Sequence, residues 1–587
     1  MVTSGFVLFP LLLAVAQQAT PLDTARLRDR ARDEARRYEI SLRRDAPLGF
    51  AGSAGTCDER VGRFCLWYDA GRGPDLPPEP EAIRTARLRT IEAHEAAFAA
   101  LPHDSLLAAA LVRYLIEHDS TAEAVRIART FDQTTGHRAW GRMLLGLAYY
   151  LDRNTPAAEE QFRAALPELG KRDRQWIDDL RHFLSSKERK AWEKFGPEEK
   201  EIYAGRLWRL ADPLYLTDGN ESWAEHVSRL VWSKVLASAP SVYGATSWGD
   251  DLTELTMRYG VPKSRMREFG TAWREGSIIE SYDPDQQNYI PDALSVNGLS
   301  GPPLPGSAWP LDTIRSRSGY APPTLREMQP LEHQLSFFPR GDSVLVRADA
   351  TFPLDSAART APRQLRLGLF AADTMGRVIL ESVRIFSVTG DTATGSVQLM
   401  VPPGQYLFSI EAIEPETRLA RRARYLADTG PGRGSPNLSA VLVTRPFPDG
   451  FTPATLEEAV SFAQPDLIIP LPRTGLFFEI AGLAVDSAGS AHYQVEISLE
   501  DPSRPGLFTR AFQRLGLADE KRPQVTSWSE TRQPLDGKTA IGITIDSENA
   551  REGLRRIRLS VTDELTGNSV VRERTILIRR ASPKSRR

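Results

Sequence analysis

Two acidic stretches anchored by tryptophan are where this chain could do chemistry. One is "GRLWRLADPLYLTDGNESWAEH", with Trp208, Asp212-Pro213 and Asn220-Glu221. The other is "SWGDDLTELTMRYGVP", residues 247–262, with Trp248, Asp250 and Asp251 ahead of Tyr259, Gly260 and Pro262. If Asp212, Glu221, Asp250 and Asp251 converged, their carboxylates would suit general acid–base work or a hard cation. The same residue types also serve structure. Asp before Pro and Asp after Trp are good turn and cap residues, and the two indoles are large core fillers. The structural reading is the stronger of the two, because no other pattern completes a reaction.

The chain has no Gly-x-Ser-x-Gly nucleophile elbow and no Walker phosphate loop. His94-Glu95 opens a zinc-protease pattern, but Phe98 stands where its second His is required. The eight His are scattered, and "GPGRG" near residue 432 lacks the flanking strand and helix of a dinucleotide site. No residue is therefore assigned as catalytic or metal-binding, no cofactor is expected, and the sequence names no reaction.

The elements that must hold these stretches come next. At 587 residues the chain exceeds one core, and about 100–200 residues per domain implies three to five units. A hydrophobic content of 41% and a charged content of 26% are those of folded protein. A net charge of -2 gives no global field for nucleic acid, so protein or peptide is the expected partner class. Composition does not reach the oligomeric state. The apolar run Phe6 to Ala16 is too short to span a bilayer and ends in Ala14-Val15-Ala16, which predicts a cleaved signal peptide over 1–16 and export to the periplasm or envelope. No later segment is apolar for long enough to cross a membrane. Cys57 and Cys65 are the only cysteines, and an even, close pair in an exported chain predicts a disulfide within the 17–81 segment.

From 82 to 200 the apolar period is helical. Leu145, Gly146, Tyr149, Ala158, Phe162 and Ala165 have spacings that resemble the tetratricopeptide repeat, a helix–turn–helix unit of about 34 residues. One period earlier stand Leu111 and Ala124, with Ala128 and Phe131 in swapped sizes. Small Gly146 and Ala158 would sit where helices cross, with Tyr149 and Phe162 filling the space beside them. Pro213 stops a helix, and Asp218 or Asn220 would cap the next. For 250–260 two readings compete: a capped helix begun by Asp251 and ended by Gly260, or one helical turn followed by a strand over Leu255, Met257 and Tyr259. Residues 269–325 are rich in Pro, Gly and Ser and read as a linker.

Beyond 326 the period is two. "VLVRADA", "RQLRLGLFA", "RVILESVRIF", "SVQLMV", "QYLFSIEAI" and "RLARRARYL" predict one antiparallel sandwich over 326–445. "LFFEIAGLAV", "AHYQVEISLE", "KTAIGITID" and the run ending "SVVRERTILIR" predict a second over 446–580, its last strands joined by "ELTGNS". Tyr406, after Pro403-Gly404, is placed to bond back to its corner.

The acidic stretches resemble the GWxTD domain of exported Gram-negative proteins. Ser247-Trp248-Gly249-Asp250-Asp251 keeps that signature's Trp and final Asp. Tyr259, Gly260 and Pro262 match its downstream element, and Trp208, Asp212-Pro213 and Asn220-Glu221 its upstream ones. The resemblance covers residues 201–268. It implies a module that commonly lies between helical repeats and β-domains, it carries no established activity, and it favours the strand over 255–260. The expectation is a multidomain α + β protein: a helical-repeat layer, a GWxTD-like module and two C-terminal antiparallel β-sandwiches. Its expected role is binding or scaffolding in the envelope, with a hydrolase or metal-dependent enzyme on the acidic cluster as the alternative.

Overall fold

The computed structural model describes residues 21–45, 48–49, 59–62, 64–66, 78–184, 186–239, 248–260, 265–268, 279–281, 321–354, 362–430, 435–470, 472–500, 524–546, 550 and 552–579. The expected signal peptide, Cys57 and Pro262 lie outside these residues, as does most of the expected linker. The chain divides into two compact units, one drawn from 1–183 and 219–288, the other from 184–218 and 289–587.

The first unit is helical. It contains α1 (Pro21–Asp45), α2 (Glu81–Ala100), α3 (Ser105–Glu117), α4 (Thr121–Thr134), α5 (Ala139–Leu151), α6 (Thr155–Ala165) and α7 (Lys171–Asp178). Each helix packs on the next from α1 to α6. The joints of the pairs α3–α4 and α5–α6 are chemically equivalent. Asp119 and Arg153 both take left-handed φ, at 59° and 67°, one 34-residue period apart. Ser120 and Asn154 then precede the second helix of each pair, and Asn154 Oδ1 accepts from Ala157 N at 3.2 Å. The apolar positions read from the sequence form the seam: Leu111, Ala124, Ala128, Phe131, Leu145, Ala158, Phe162 and Ala165 are all buried. A Cβ at Gly146 would come within 2.4 Å of the Phe162 ring, so the crossing requires glycine. Tyr149 differs from expectation. It is half-exposed and takes a hydrogen bond from Arg129, while its neighbour Tyr150 is fully buried. The side chain one position further round the helix faces the seam.

The face on which α3 and α5 stand together is covered by the chain itself. Helix α10 (Glu221–Ala237) packs on α3, α5, α6 and α7, and helix α11 (Asp250–Tyr259) packs on α10. Almost every α10 side chain is buried, including Trp223, Val227, Leu230, Val231, Trp232 and Leu236. Polar Glu221, His226 and Arg229 are buried on it too, so its enclosure requires hydrogen-bond partners as well as apolar contacts. Five short strands complete this unit: β1 (Leu48–Gly49), β2 (Glu59–Val61), β3 (Phe64–Leu66), β4 (Arg265–Glu268) and β5 (Ile279–Ser281). Cys65 lies on β3.

The second unit starts with α8 (Ser186–Trp192) and α9 (Pro197–Ala211) and continues as two sandwiches, antiparallel as expected except that one terminal strand in each pairs in parallel, the 327–330 strand and the 468–470 strand. In the first, β6 (Glu327–Pro330), β9 (Arg363–Ala372), β10 (Val378–Val388), β12 (Gln405–Glu414) and β13 (Leu419–Asp428) form one sheet, ordered β10-β9-β12-β13-β6. It faces β7 (Glu332–Arg340), β8 (Ser343–Pro353) and β11 (Thr392–Val401), ordered β11-β8-β7. Val346, Leu367, Leu369, Val397, Phe408 and Ile410 are buried between the layers. Tyr406 donates from its hydroxyl to the Pro402 carbonyl at 3.0 Å, the corner bond expected from the sequence.

In the second sandwich β14 (Asn437–Leu438), β15 (Leu442–Thr444), β17 (Arg473–Ala481) and β20 (Lys538–Asp546) make one sheet. The other holds β16 (Ile468–Pro470), β18 (Ala491–Glu500), β19 (Gln524–Arg532), β21 (Gly553–Asp563) and β22 (Ser569–Arg579). A one-turn helix, α12 (Leu456–Ala459), joins β15 to β16. Tyr493, Val495 and Ile497 alternate inward, and β21 and β22 are a hairpin as expected. The mixed α + β architecture read from the sequence is that of the protein.

Two predictions follow from this packing. Gly146→Leu should destabilise the helical unit by about 1–3 kcal/mol by overpacking against Phe162, read as a shift in its melting transition. His226, on α10, is fully buried and donates from Nε2 to the Ile177 carbonyl at 3.0 Å. Burial chiefly, with help from the Arg229 charge, lowers its pKa to about 4. The unfolded chain, with an ordinary His near 6.5, therefore binds the extra proton between those values. Stability is fully present above pH 6.5 and falls by on the order of 3 kcal/mol as pH drops toward 4. In His226→Gln, melting followed from pH 7 to pH 4.5 should lose part of that slope.

Candidate functional site

The two units divide the motif residues. Trp208, Asp212 and Pro213 belong to the sandwich-bearing unit, and Asn220, Glu221, Trp248, Asp251, Tyr259 and Gly260 to the helical one. In the helical unit, Asn220 Oδ1 accepts from Trp223 N at 2.8 Å and so caps α10. Glu221 begins the helix and is almost wholly buried, and its carbonyl takes a bond from the Tyr150 hydroxyl at 3.4 Å.

The second stretch is helical, not the strand that the resemblance favours. Leu252, Leu255, Thr256 and Tyr259 recur at helical spacing and are buried, which fixes the period. The cap sits two residues earlier than the sequence suggested. Gly249 is the N-cap, and Asp250 and Asp251 occupy the first turn, where acidic side chains meet the positive end of the helix. Asp251 Oδ1 accepts from Leu252 N at 2.9 Å. The β2–β3 turn covers Asp251 closely, for a Cβ on Gly62 would lie 2.4 Å from the Asp251 Cβ. Asp250 is exposed and pairs with Arg172 at 2.8 Å. Trp248 is half-buried and donates from its indole to Thr253 Oγ1 at 3.0 Å, so it braces the first turn and is not a core filler.

Gly260 closes α11 at φ 80°, a conformation that favours glycine. The residue that holds this end was not singled out in the sequence. Arg229, buried on α10, donates from Nη1 to the carbonyls of Arg258 at 2.8 Å and Met257 at 3.4 Å, and from Nε to Glu225 at 2.5 Å. Last-turn carbonyls lack helical partners, and this guanidinium supplies them. An arginine in the apolar run "SRLVWSKVL" was the available signal.

In the other unit, Trp208 is buried on α9 and Asp212 ends that helix. The Asp212 carbonyl accepts from Arg424 at 2.8 Å and the Pro213 carbonyl from Arg422 at 2.8 Å. Arg424 is itself fully buried, paired with buried Glu411 at 3.0 Å, and its guanidinium lies over the Tyr215 ring at 4.1 Å. Glu411 Oε2 accepts from Leu216 N at 2.8 Å. Burial and the Arg424 charge together lower Arg422 to about 9. The Asp-Pro step thus presents main-chain carbonyls to a cationic cluster on β13.

Among the described residues, no three His, Cys, Asp or Glu side chains gather as a metal-binding set. His94, which opened the abortive zinc pattern, is buried on α2 and bonds through Nδ1 to the Thr90 carbonyl at 2.8 Å.

Arg229→Ala should therefore cost about 3–5 kcal/mol, as loss of a buried, hydrogen-bonded charge does, whereas Asp251→Asn, which keeps an accepting oxygen, should change the melting transition little. A reversed order in thermal melts would contradict the structural roles given to both.

No family model and no curated protein matches the chain. Among solved structures it is similar to the serine-rich repeat protein Srr2 of Streptococcus agalactiae, with 9% identity, 42% of this chain and 95% of that one covered, and a TM-score of 0.14. A superposition that loose carries no argument.

Proposed function

We propose that this is an exported, envelope-associated protein that binds or scaffolds other proteins, and that its GWxTD-like residues are structural. Their use supports the second half of this reading: Asn220 caps a helix, Asp251 lies under a turn, and the Asp212-Pro213 carbonyls are held by arginines. The observation that carries the first half is on β10. This strand ends its sheet, and Ile379, Val383 and Ile385 are 48%, 41% and 63% exposed on it. Long terminal strands with open apolar side chains are ordinarily blunted by charge or Pro, because they recruit other chains. Here β10 carries two such charges, Glu381 and Arg384, in 11 residues, and its apolar side chains suit an extended segment of a partner protein added by main-chain pairing.

The helical unit supports the same division of labour. Its α3–α5 face, the kind of surface that receives peptides in helical repeats, is already filled by α10, which leaves the sandwiches to meet proteins. The mature protein, used as bait in envelope extract, should retain a partner that Ile385→Asp releases, with both baits melting alike. Retention of the same proteins by both baits, or of none by either, would sink the reading.

A further inference from the structure

Helix α10 leaves one end of the helical layer open. Between α1, α3 and the C-terminal end of α10 lies a cavity of about 140 Å³, lined entirely by residues of the first unit. Its wall is apolar where Ala35, Leu107, Ala110 and Val235 meet. Its interior is polar in a selective way. His94, Arg113 and Tyr114 line it at 3%, 5% and 1% exposure.

Each of these three side chains has an atom that nothing among the described residues uses. His94 Nδ1 faces the Thr90 carbonyl at 2.8 Å. A carbonyl only accepts, so the proton is on Nδ1 and Nε2 is a bare lone pair. Burial lowers the His94 pKa, which keeps the ring neutral and Nε2 an acceptor. The Tyr114 hydroxyl has no hydrogen-bond partner among the described residues, although its ring packs edge-on against His94 at 5.2 Å. Arg113 spends Nε on Glu117 and Nη1 on Glu39, both at 2.7 Å, and its Nη2 is left over. An acceptor and a hydroxyl that no other described residue meets line the same space, so a ligand carrying the matching donor and acceptor finds both partners there.

The mouth has a different character. Arg28 and Arg32 line it with side chains 44% and 59% exposed. Arg28 is engaged by Asp104, while Arg32 has only a loose pair with Asp29 at 3.7 Å. The mouth therefore carries a cation free to meet an anion, and the floor carries an acceptor that needs a donor. A volume close to the roughly 150 Å³ that accepts benzene in an engineered cavity limits the body to about one ring.

We propose that this cavity binds a small amphipathic carboxylate with a hydroxyl at the end remote from the acid, as in a phenolic acid. The hydroxyl donates to His94 Nε2 and accepts from Tyr114 or Arg113, the ring lies on the Leu107–Val235 wall, and the carboxylate meets Arg32. The site stands on the helical unit alone and does not depend on the reading of β10.

Calorimetric titration of the full chain with para-hydroxybenzoate and with benzoate tests it. The hydroxy acid should bind, and benzoate, which leaves His94 unmet, should bind at least about 10-fold more weakly. Arg32→Glu, a surface change, should weaken both acids. His94→Phe keeps a ring but removes the acceptor, and should bring the two acids to equal affinity. Absence of binding by the wild-type protein at millimolar para-hydroxybenzoate overturns the proposal, as does an unchanged preference in His94→Phe. Should His94→Phe lose its cooperative melt, Arg32→Glu decides: unaltered affinity for para-hydroxybenzoate refutes the site.

Discussion

A buried guanidinium carries five donors and a charge, and the places where this protein accommodates that burden decide how its chain is routed. Arg424 is the clearest case. It is fully buried and spends its donors on Glu411, Ser409 and the carbonyls of Leu210 and Asp212. Arg422 takes the next carbonyl, Pro213. Arg206 and Arg209, on α9, reach the carbonyls of Thr374 and Met375, each at 2.9 Å. The carbonyls among these acceptors lie at a helix end or in a turn, where helical or sheet partners are missing. One arrangement thereby satisfies the cation and the orphaned carbonyl together.

This explains why the loop after α9 has one course. The carbonyls of Leu210, Asp212 and Pro213 point at a fixed pair of arginines, Leu216 N points at Glu411, and Tyr215 lies under Arg424. Apolar replacements of a buried ion pair can match its stability. They could not dictate which carbonyl faces inward, and that direction carries the chain out of α9. Arg229 does the same in the helical unit, where it fixes how α11 ends on α10. The Asp-Pro and Tyr-Gly elements are the turns; the arginines that read them stand far off in sequence.

Legibility followed the range of the interactions. Helical period, strand alternation and the 34-residue repeat are local, and the seam residues Ala124, Ala158, Phe131 and Phe162 were readable from spacing alone. So was the Tyr406 corner, because its acceptor is four residues away. The choice at 250–260 turned on a longer pattern. Alternation of Leu255, Met257 and Tyr259 is as good a strand as Leu252, Leu255 and Tyr259 is a helix, and burial against α10 selected the helix. Trp248 differs for a related reason: a large aromatic is a core filler only if its own segment is enclosed, and this half-buried indole instead braces the first turn of α11 through Thr253. The arginine clamps were not legible, because Arg229 and Arg424 act on main chain far from them in sequence.

Filling the α3–α5 face with α10 also changes what the helical unit is suited to do. A helical layer with an open face offers an extended track to a peptide, and a layer whose face holds its own helix offers only what the helix fails to cover. Here that remainder is the space beyond Val235, where α10 ends and α1 and α3 stand apart. Its walls come from α1, which packs on α2, and from α3, which packs on α4. The ligand proposed for this space meets it with an apolar body, a hydroxyl toward His94 and an acid toward Arg32.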